Sequence, residues 1–274
     1  MKMRKIKIKS FFHWLIIYLK LIRQYNNHIN LFHKLKLEIY IILQLMFKRL
    51  PWKPFIKIDN VWFKVLDLDT LIILNPLNEY WMWKYLKVDH NEVFIDVGAH
   101  VGKYTLPIAK QYPDSTVIAI EPAKDIFLSL IDGIKRNNLK NVIALNIAAY
   151  STNTKLKLFI LETHGSSTLI EKYAKDLAKR IIRVDEVEAR PLDDVVEGLG
   201  LGRVDWVKID VEGAELHVLR GFRSGIARFR PRIIIEVKEF NREGVFNFFR
   251  EFNYECKHIP EDESGEYFIC VPKS

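Results

Sequence analysis

An α/β fold is predicted by this sequence: a doubly wound, mainly parallel seven-stranded sheet with a C-terminal antiparallel hairpin, preceded by a basic helical segment. Three observations predict it. Short apolar runs recur at Val93–Val97, Thr116–Ile120, Val142–Ala148, Asp205–Asp210 and Arg232–Val237, and segments of helical period separate them. The first run breaks directly into a glycine-punctuated turn, Gly98-Ala99-His100-Val101-Gly102, from which a helical pattern opens at Lys103. The last run is followed by a helix and two extended arms around Pro260–Gly265. Strands alternating with helices call for a parallel sheet covered on both faces, and ligands of such sheets sit outside the carboxyl ends of the strands.

The N-terminal segment has a composition of its own. Residues 1–53 hold twelve Lys and Arg against a single acid, Glu38, so they carry +11, while the rest of the chain carries −3. Attraction to anionic partners therefore belongs to the N-terminus, and the near-neutral remainder argues against an extended nucleic-acid surface. Two apolar runs, Phe11–Leu19 and Ile39–Phe47, are each shorter than the roughly 20 residues a spanning helix needs. No small-residue cleavage site follows the first run, so a removed signal peptide is not expected. Two readings remain for residues 1–50: a helix lying on an anionic membrane surface, or a helical cap on the main domain or on a second subunit. Pro51-Trp52-Lys53-Pro54 is read as the boundary, giving a segment 1–53 and a domain 54–274. The expected location is cytoplasmic, at the inner face of a membrane.

Along the main domain, Ile58–Val65 reads as a strand or hairpin arm and Asn78–Leu86 as an aromatic-rich helix. Helices are expected at Ile126–Asn137, Glu171–Lys179, Pro191–Val196, Ala214–Leu219 and Glu243–Phe252. Lys155–Leu161 and Ile181–Val187 are added strands. Cys256 and Cys270 flank the terminal hairpin and face each other if its turn centres near Glu263. A cross-strand disulfide competes there with two buried free thiols, and a reducing compartment favours the thiols.

Asp96, Glu121, Asp210 and Glu236 each stand at the carboxyl end of a predicted core strand, and in a parallel sheet all four point to one edge. A like-charged row without a counter-charge is costly, so the edge should favour a cationic or hydroxyl-rich ligand. Glu121 follows Asp96 by one βαβ step, where a carboxylate can accept both hydrogen bonds of a ribose diol. A nicotinamide dinucleotide would call for GxGxxG, but the spacing here is Gly98-x-x-x-Gly102, with His100 in place of the middle glycine. Asp96 beside the loop would also repel a pyrophosphate. S-adenosylmethionine, phosphate-free and carrying an ammonium and a sulfonium, suits the row better. No metal-ligand pattern is evident.

The stretches Asp96–Thr105, Glu121-Pro122 and Val207-Lys208-Ile209-Asp210-Val211-Glu212-Gly213-Ala214-Glu215, with Val218, Leu219 and Gly221, resemble the FkbM-type methyltransferases. These are class I enzymes dependent on S-adenosylmethionine. The Pro231–Glu236 strand and the Gly165-Ser166-Ser167-Thr168 loop are similar to theirs as well, whereas residues 1–50 lie outside the resemblance. His100 stands where such families often have Asn. The resemblance implies that Asp96, Gly98, Ala99, His100 and Gly102 shape the pocket for the methionine part. Glu121 would hold the ribose, and Asn146 and Ala148 would border adenine.

Trp206, Lys208 and Asp210 share one face of their strand. A lysine inside a core strand needs a partner, and Asp210 or Glu236 is expected to supply it. A hydroxyl acceptor must lose a proton on methylation, and Asp210, then Glu212, are the candidate bases, with His100 and His164 behind them. Glu215 and His217 are placed on the following helix, facing neighbours or solvent. The resemblance implies a hydroxyl acceptor on a sugar, a glycolipid or another small molecule. An NAD(P)-dependent oxidoreductase and a non-catalytic scaffold are the alternatives.

Overall fold

The structure is a computed structural model that describes residues 8–47, 52–162, 167–176, 180–264 and 266–273. The chain divides into two compact units, residues 1–80 and 81–274.

The first unit packs two helices, Ile8–Gln24 (α1) and Leu31–Phe47 (α2), on each other, and sets α2 against a hairpin of Phe55–Ile58 (β1) and Val61–Lys64 (β2). A short helix, Leu68–Ile73 (α3), follows, capped by the Asp67 side chain, which accepts from the Thr70 amide. Tyr25, Leu37, Tyr40, Ile41, Ile56 and Leu71 are fully buried. The Tyr25 hydroxyl donates to the Leu71 carbonyl and the Tyr40 hydroxyl to that of Leu66. The division thus falls after Tyr80 rather than at Pro51–Pro54. The hairpin beyond Pro54 alternates buried and half-exposed residues and needs the helices to cover its apolar face. Among the described residues no helix is long and apolar enough to cross a membrane.

The second unit begins with a single turn, Met82–Tyr85 (α4), where a longer helix over Asn78–Leu86 was expected; Glu79, at φ +53°, breaks the helical path. Then follow Val93–Val97 (β3), Thr105–Gln111 (α5), Thr116–Ile120 (β4), Lys124–Arg136 (α6) and Val142–Leu145 (β5). Next come Ala148–Ala149 (β6), Thr154–Leu161 (β7), Glu171–Asp176 (α7), Ile181–Arg190 (β8) and Leu192–Gly198 (α8). The chain closes with Trp206–Ile209 (β9), Glu215–Arg220 (α9), Arg223–Phe229 (α10), Arg232–Glu236 (β10), Arg242–Glu251 (α11), Tyr254–His258 (β11) and Tyr267–Pro272 (β12).

Seven strands form the main sheet in the order β11-β12-β10-β9-β3-β4-β5, parallel from β10 to β5 and antiparallel at β11 and β12. The predicted α/β class and the terminal hairpin are both present. From β3 the chain winds outward through β4 and β5, then returns to lay β9 on the other side of β3, so the strand order reverses between β3 and β9. That is where a doubly wound sheet opens a crevice. Alternation along β3 sorts its side chains: Val93, Ile95 and Val97 enter the larger core with Val207 and Ile209, and Phe94 enters the opposite one with Trp206 and Tyr104. Asp96 shares the face of Phe94, and its register partner on β9 is Lys208.

The expected strand Val142–Ala148 is two strands. It breaks at Asn146, and β6 leaves the main sheet to pair with β8, which pairs with β7 in a separate three-stranded sheet, β6-β8-β7. Cys256 and Cys270 are opposite each other in the β11–β12 register and form a disulfide, which corrects the expectation of two free thiols. Pairing at directly opposed positions brings the two sulfurs within bonding reach.

Candidate active site

The glycine loop is tied down by the neighbouring strand. The Gly98 and Ala99 amides both donate to the Ile120 carbonyl at 3.0 Å, which folds the loop over the end of β4. Gly98 has φ +80°, and a Cβ there would lie 1.9 Å from the Asp210 carbonyl oxygen, so the end of β9 passes where any side chain would be. His100 also takes a left-handed backbone, φ +50°, and its amide donates to Glu121 Oε2 at 3.0 Å. The other oxygen of Glu121 accepts from the Ala123 amide at 2.8 Å. Glu121 is thus a buried carboxylate gripped by two backbone donors, and burial still pushes its carboxyl up to about 7.

Lys208 organises the crevice between β3 and β9. Its ammonium, 2% exposed, lies 3.6 Å from Asp96 Oδ1, 3.2 Å from Asp210 Oδ2 and 5.2 Å from the centre of the Tyr104 ring. Of the two partners expected for it, Asp210 is present and Glu236 is not; Asp96 takes the second place because register sets it directly across the strand pair. The Thr105 hydroxyl donates to Asp96 Oδ2 at 2.7 Å, whereas Asp96 Oδ1 is buried without a hydrogen bond. Burial raises the Asp96 carboxyl against the pull of Lys208. For Asp210 the balance reverses: burial would raise it, but Lys208, Lys238 and the Tyr267 hydroxyl at 3.2 Å hold it below the usual carboxylate range.

Glu236 pairs instead with Lys238, whose ammonium also reaches Glu212 and Glu266, at 2.9, 3.2 and 2.9 Å respectively. The four-acid edge is therefore not a bare like-charged row. Two buried lysines divide it, Lys208 between Asp96 and Asp210 and Lys238 among the glutamates. Lys238 was missed, although it stands two residues beyond Glu236 and so continues the face of β10. Carboxylate oxygens of Asp210, Glu212 and Glu236 come within 4.8 Å of one another, close enough to ligate a cation, and Lys238 already places a positive charge among them. Burial, with the nearby Asp210 and Glu212 charges, pushes the Glu236 carboxyl well up.

The rest of the motif after β9 is scaffold. Glu215, expected at solvent or a neighbour, is fully buried and folds back on the turn, accepting from the Gly213 amide at 2.6 Å and from the Asn241 side chain. Glu212 and Gly213 have φ of +48° and +105°, a backbone that needs such support. The Thr168 hydroxyl donates to the Glu212 carbonyl. His217 stacks on Tyr150 at 4.1 Å, and a Cβ at Gly221 would lie 2.0 Å from the Tyr150 carbonyl oxygen.

Of the expected site residues, Asp96, Gly98, Ala99, His100, Gly102 and Glu121 are gathered around the glycine loop, Asp96 from β3 and Glu121 from the end of β4, with Asp210 and Glu212 tied in by Lys208 and Lys238. The Asn146 side chain donates to the carbonyls of Glu121 and Pro122 at 2.8 and 2.9 Å, so it holds the turn that carries Glu121. Pro122 and Asn146 also line a cavity of about 790 Å³ that Asp125 and Arg183 border. Ala148 is buried in β6, paired with Ala189 of β8 in the three-stranded sheet. His164 and Ser166 lie outside the described residues.

The methyltransferase FkbM domain matches residues 96–258, from the acid of the glycine loop to the end of β11. The chain belongs to the FkbM methyltransferase family. Methyltransferase 1 of Beauveria bassiana is 33% identical over 160 residues, 52% of this chain and 63% of that protein. Methyltransferase sdnD of Sordaria araneosa is 29% identical over 200 residues, 61% and 77% of the two chains. Among solved structures, methyltransferase FkbM from Methylobacillus flagellatus aligns with TM-score 0.52 and 13% identity, over 94% of this chain and 60% of its own. The match thus spans under two thirds of both the Beauveria protein and the solved FkbM chain. The shared FkbM region contains the glycine loop, Glu121 and the whole Lys208–Glu215 stretch.

Proposed function

We propose that this FkbM-family methyltransferase moves the methyl group of S-adenosylmethionine to a hydroxyl of a sugar, glycolipid or other small molecule. The observation that carries the reading is the Lys208 ammonium, which joins the acid of the glycine loop, Asp96, to the acid at the opposite side of the crevice, Asp210. One charge centre thereby fixes the cofactor side and the acceptor side relative to each other. The bound cofactor would supply an electrophilic methyl group on a sulfonium leaving group. The residues present fit it: Glu121 keeps lone pairs for the two ribose hydroxyls beyond those used by the His100 and Ala123 amides, and buried Asp96 Oδ1 has acceptor capacity to spare. Ala99 and His100 belong to the loop that would border the methionine part, and Asn146 fixes the turn that would border adenine.

The chain's own contribution to transfer is alignment, worth about 7–11 kcal/mol where geometry is ideal. Asp210 accepts the acceptor hydroxyl's hydrogen bond and takes its proton as the methyl group passes from the sulfonium to the hydroxyl oxygen. Its Oδ2 is engaged by Lys208 and Tyr267, which leaves Oδ1 to face the acceptor, and its lowered proton affinity keeps it ionised throughout the physiological range. Glu212 and Glu236, oriented by Lys238, supply further acceptors for neighbouring hydroxyls, as a polyhydroxylated molecule requires.

The test is methyl transfer from labelled cofactor into fractionated glycan and lipid extracts, with Asp210→Asn in parallel. The expected result is label in a hydroxyl-bearing fraction, and a variant that loses turnover while binding S-adenosylhomocysteine as before. Label confined to protein or nucleic acid would refute the acceptor class, and equal loss of binding and turnover would move Asp210 from the acceptor to the cofactor.

A further inference from the structure

The first unit carries a feature that methyl transfer does not use. On α2 the buried residues are His33, Leu37, Tyr40, Ile41 and Gln44, which form one face. The face away from them is also apolar. Leu31, Leu35, Ile39, Ile42 and Met46 recur at helical spacing on it and are 71, 50, 54, 38 and 52% exposed. A helix that is apolar on both faces has partnered one and left the other open. On α1 the exposed Ile16 and Ile17 are followed, one and two turns on, by exposed Lys20 and Arg23. Trp14 and Trp52 are 47 and 41% exposed.

We infer that this helix pair docks on an anionic phospholipid surface, with the Leu31–Met46 stripe entering the headgroup boundary and the flanking lysines and arginines meeting the lipid phosphates. Charge decides among the occupants. Residues 1–53 carry +11, and a second copy of the chain would bring another +11 against it. A negatively charged surface is complementary, each Lys or Arg near it adding attraction that salt screens. The stripe supplies what charge alone lacks, apolar area to bury, and exposed tryptophans suit the boundary layer. The inference is independent of which molecule accepts the methyl group.

The test is co-flotation of the full chain with vesicles of equimolar phosphatidylcholine and phosphatidylglycerol, and with phosphatidylcholine alone. The chain is expected to float with the anionic vesicles and to be released by high salt. Ile39→Gln with Ile42→Gln should lower the partition coefficient by roughly tenfold or more. Lys20→Glu with Arg23→Glu, which keeps every apolar residue, should lower it by a similar factor on anionic vesicles only, and decides the matter if the first variant misfolds. Leu128→Gln, an exposed apolar residue on α6, should change nothing. Equal flotation with neutral vesicles, or insensitivity to both double variants, would overturn the proposal. So would a sedimentation dimer that Ile39→Gln with Ile42→Gln dissociates in a chain that never floats, which would assign the stripe to a second copy.

Discussion

Replacing Lys208 by methionine tests whether its ammonium holds the crevice together. Methionine keeps the length and apolar stem but removes the charge that sits 3.6 Å from Asp96 and 3.2 Å from Asp210, one of them wholly buried. Breaking a buried pair by deleting one partner costs about 3–5 kcal/mol, because the remaining charge stays desolvated. For a unit the size of residues 81–274, each kcal/mol shifts the melting temperature by about 2–4 °C, so a fall on the order of 10 °C is expected. The sign with pH is fixed by Asp96, whose folded carboxyl already lies above its ordinary value. Stability from a raised carboxyl is complete below the unfolded value and is lost as pH rises through the folded one. Without Lys208 the folded value climbs further, so the deficit against wild type should be larger at about pH 8 than at about pH 5. Adding Asp96→Asn to Lys208→Met should recover part of the loss, since both members of the pair are then gone. Differential scanning calorimetry of the three proteins, wild type, Lys208→Met and the double variant, at both pH values is the assay. A melting temperature within about 2 °C of wild type, or a deficit that does not vary with pH, would refute the reasoning.

Further expectations concern the loop and the hairpin. Gly98→Ala places a Cβ 1.9 Å from the Asp210 carbonyl oxygen at a residue of φ +80°, and should cost at least about 2 kcal/mol in denaturant titration and abolish cofactor binding. Because burial lifts the Glu121 carboxyl to about 7, its ionised, diol-accepting form grows as pH rises through that value, so S-adenosylhomocysteine affinity should increase from about pH 6 to about pH 8 and flatten in Glu121→Gln. The same shift means that the free protein loses the Glu121 contribution to stability as pH rises from the ordinary carboxylate value through about 7. Reducing the Cys256–Cys270 bond, which closes a separation of 14 residues, should cost about 3 kcal/mol, read as a lower melting temperature in dithiothreitol that Cys256→Ser with Cys270→Ser reproduces.

What could be read from the chain alone followed from local pattern. Apolar runs between helical periods located β3, β4, β9 and β10, and Gly98, Gly102 and Glu121 marked the candidate site because backbone angle and strand-end position are local properties. The partner of Lys208 was legible in part: Asp210 lies on the same strand face, but Asp96 reaches it only through the β3–β9 register, a long-range fact. Lys238 went unseen for a similar reason, since its role exists only once Glu212 and Glu266 converge on it from other elements. Glu215 read as facing a neighbour or solvent because its buried partners, the Gly213 amide and Asn241, are brought to it by a turn and by a segment far along the chain. The separate β6-β8-β7 sheet was invisible because nothing local says which neighbour an added strand will choose, and the break at Asn146 is a side-chain cap on Glu121 and Pro122 rather than a proline or glycine signal. The extension of the first unit to Tyr80 likewise rests on burial between helices and hairpin that Pro51 and Pro54 conceal.

What the Gly98–Gly102 loop and Glu121 bind decides the chemistry of this protein. Isothermal titration of the full chain with S-adenosylhomocysteine, and separately with NAD and NADP, is the most direct measurement. The prediction is one site per chain for S-adenosylhomocysteine, no heat with either dinucleotide, and an affinity at least about tenfold weaker in Glu121→Gln, the loss of a charge-assisted pair of hydrogen bonds to the ribose. Binding of NAD or NADP at that site, or S-adenosylhomocysteine affinity indifferent to Glu121→Gln, would contradict it.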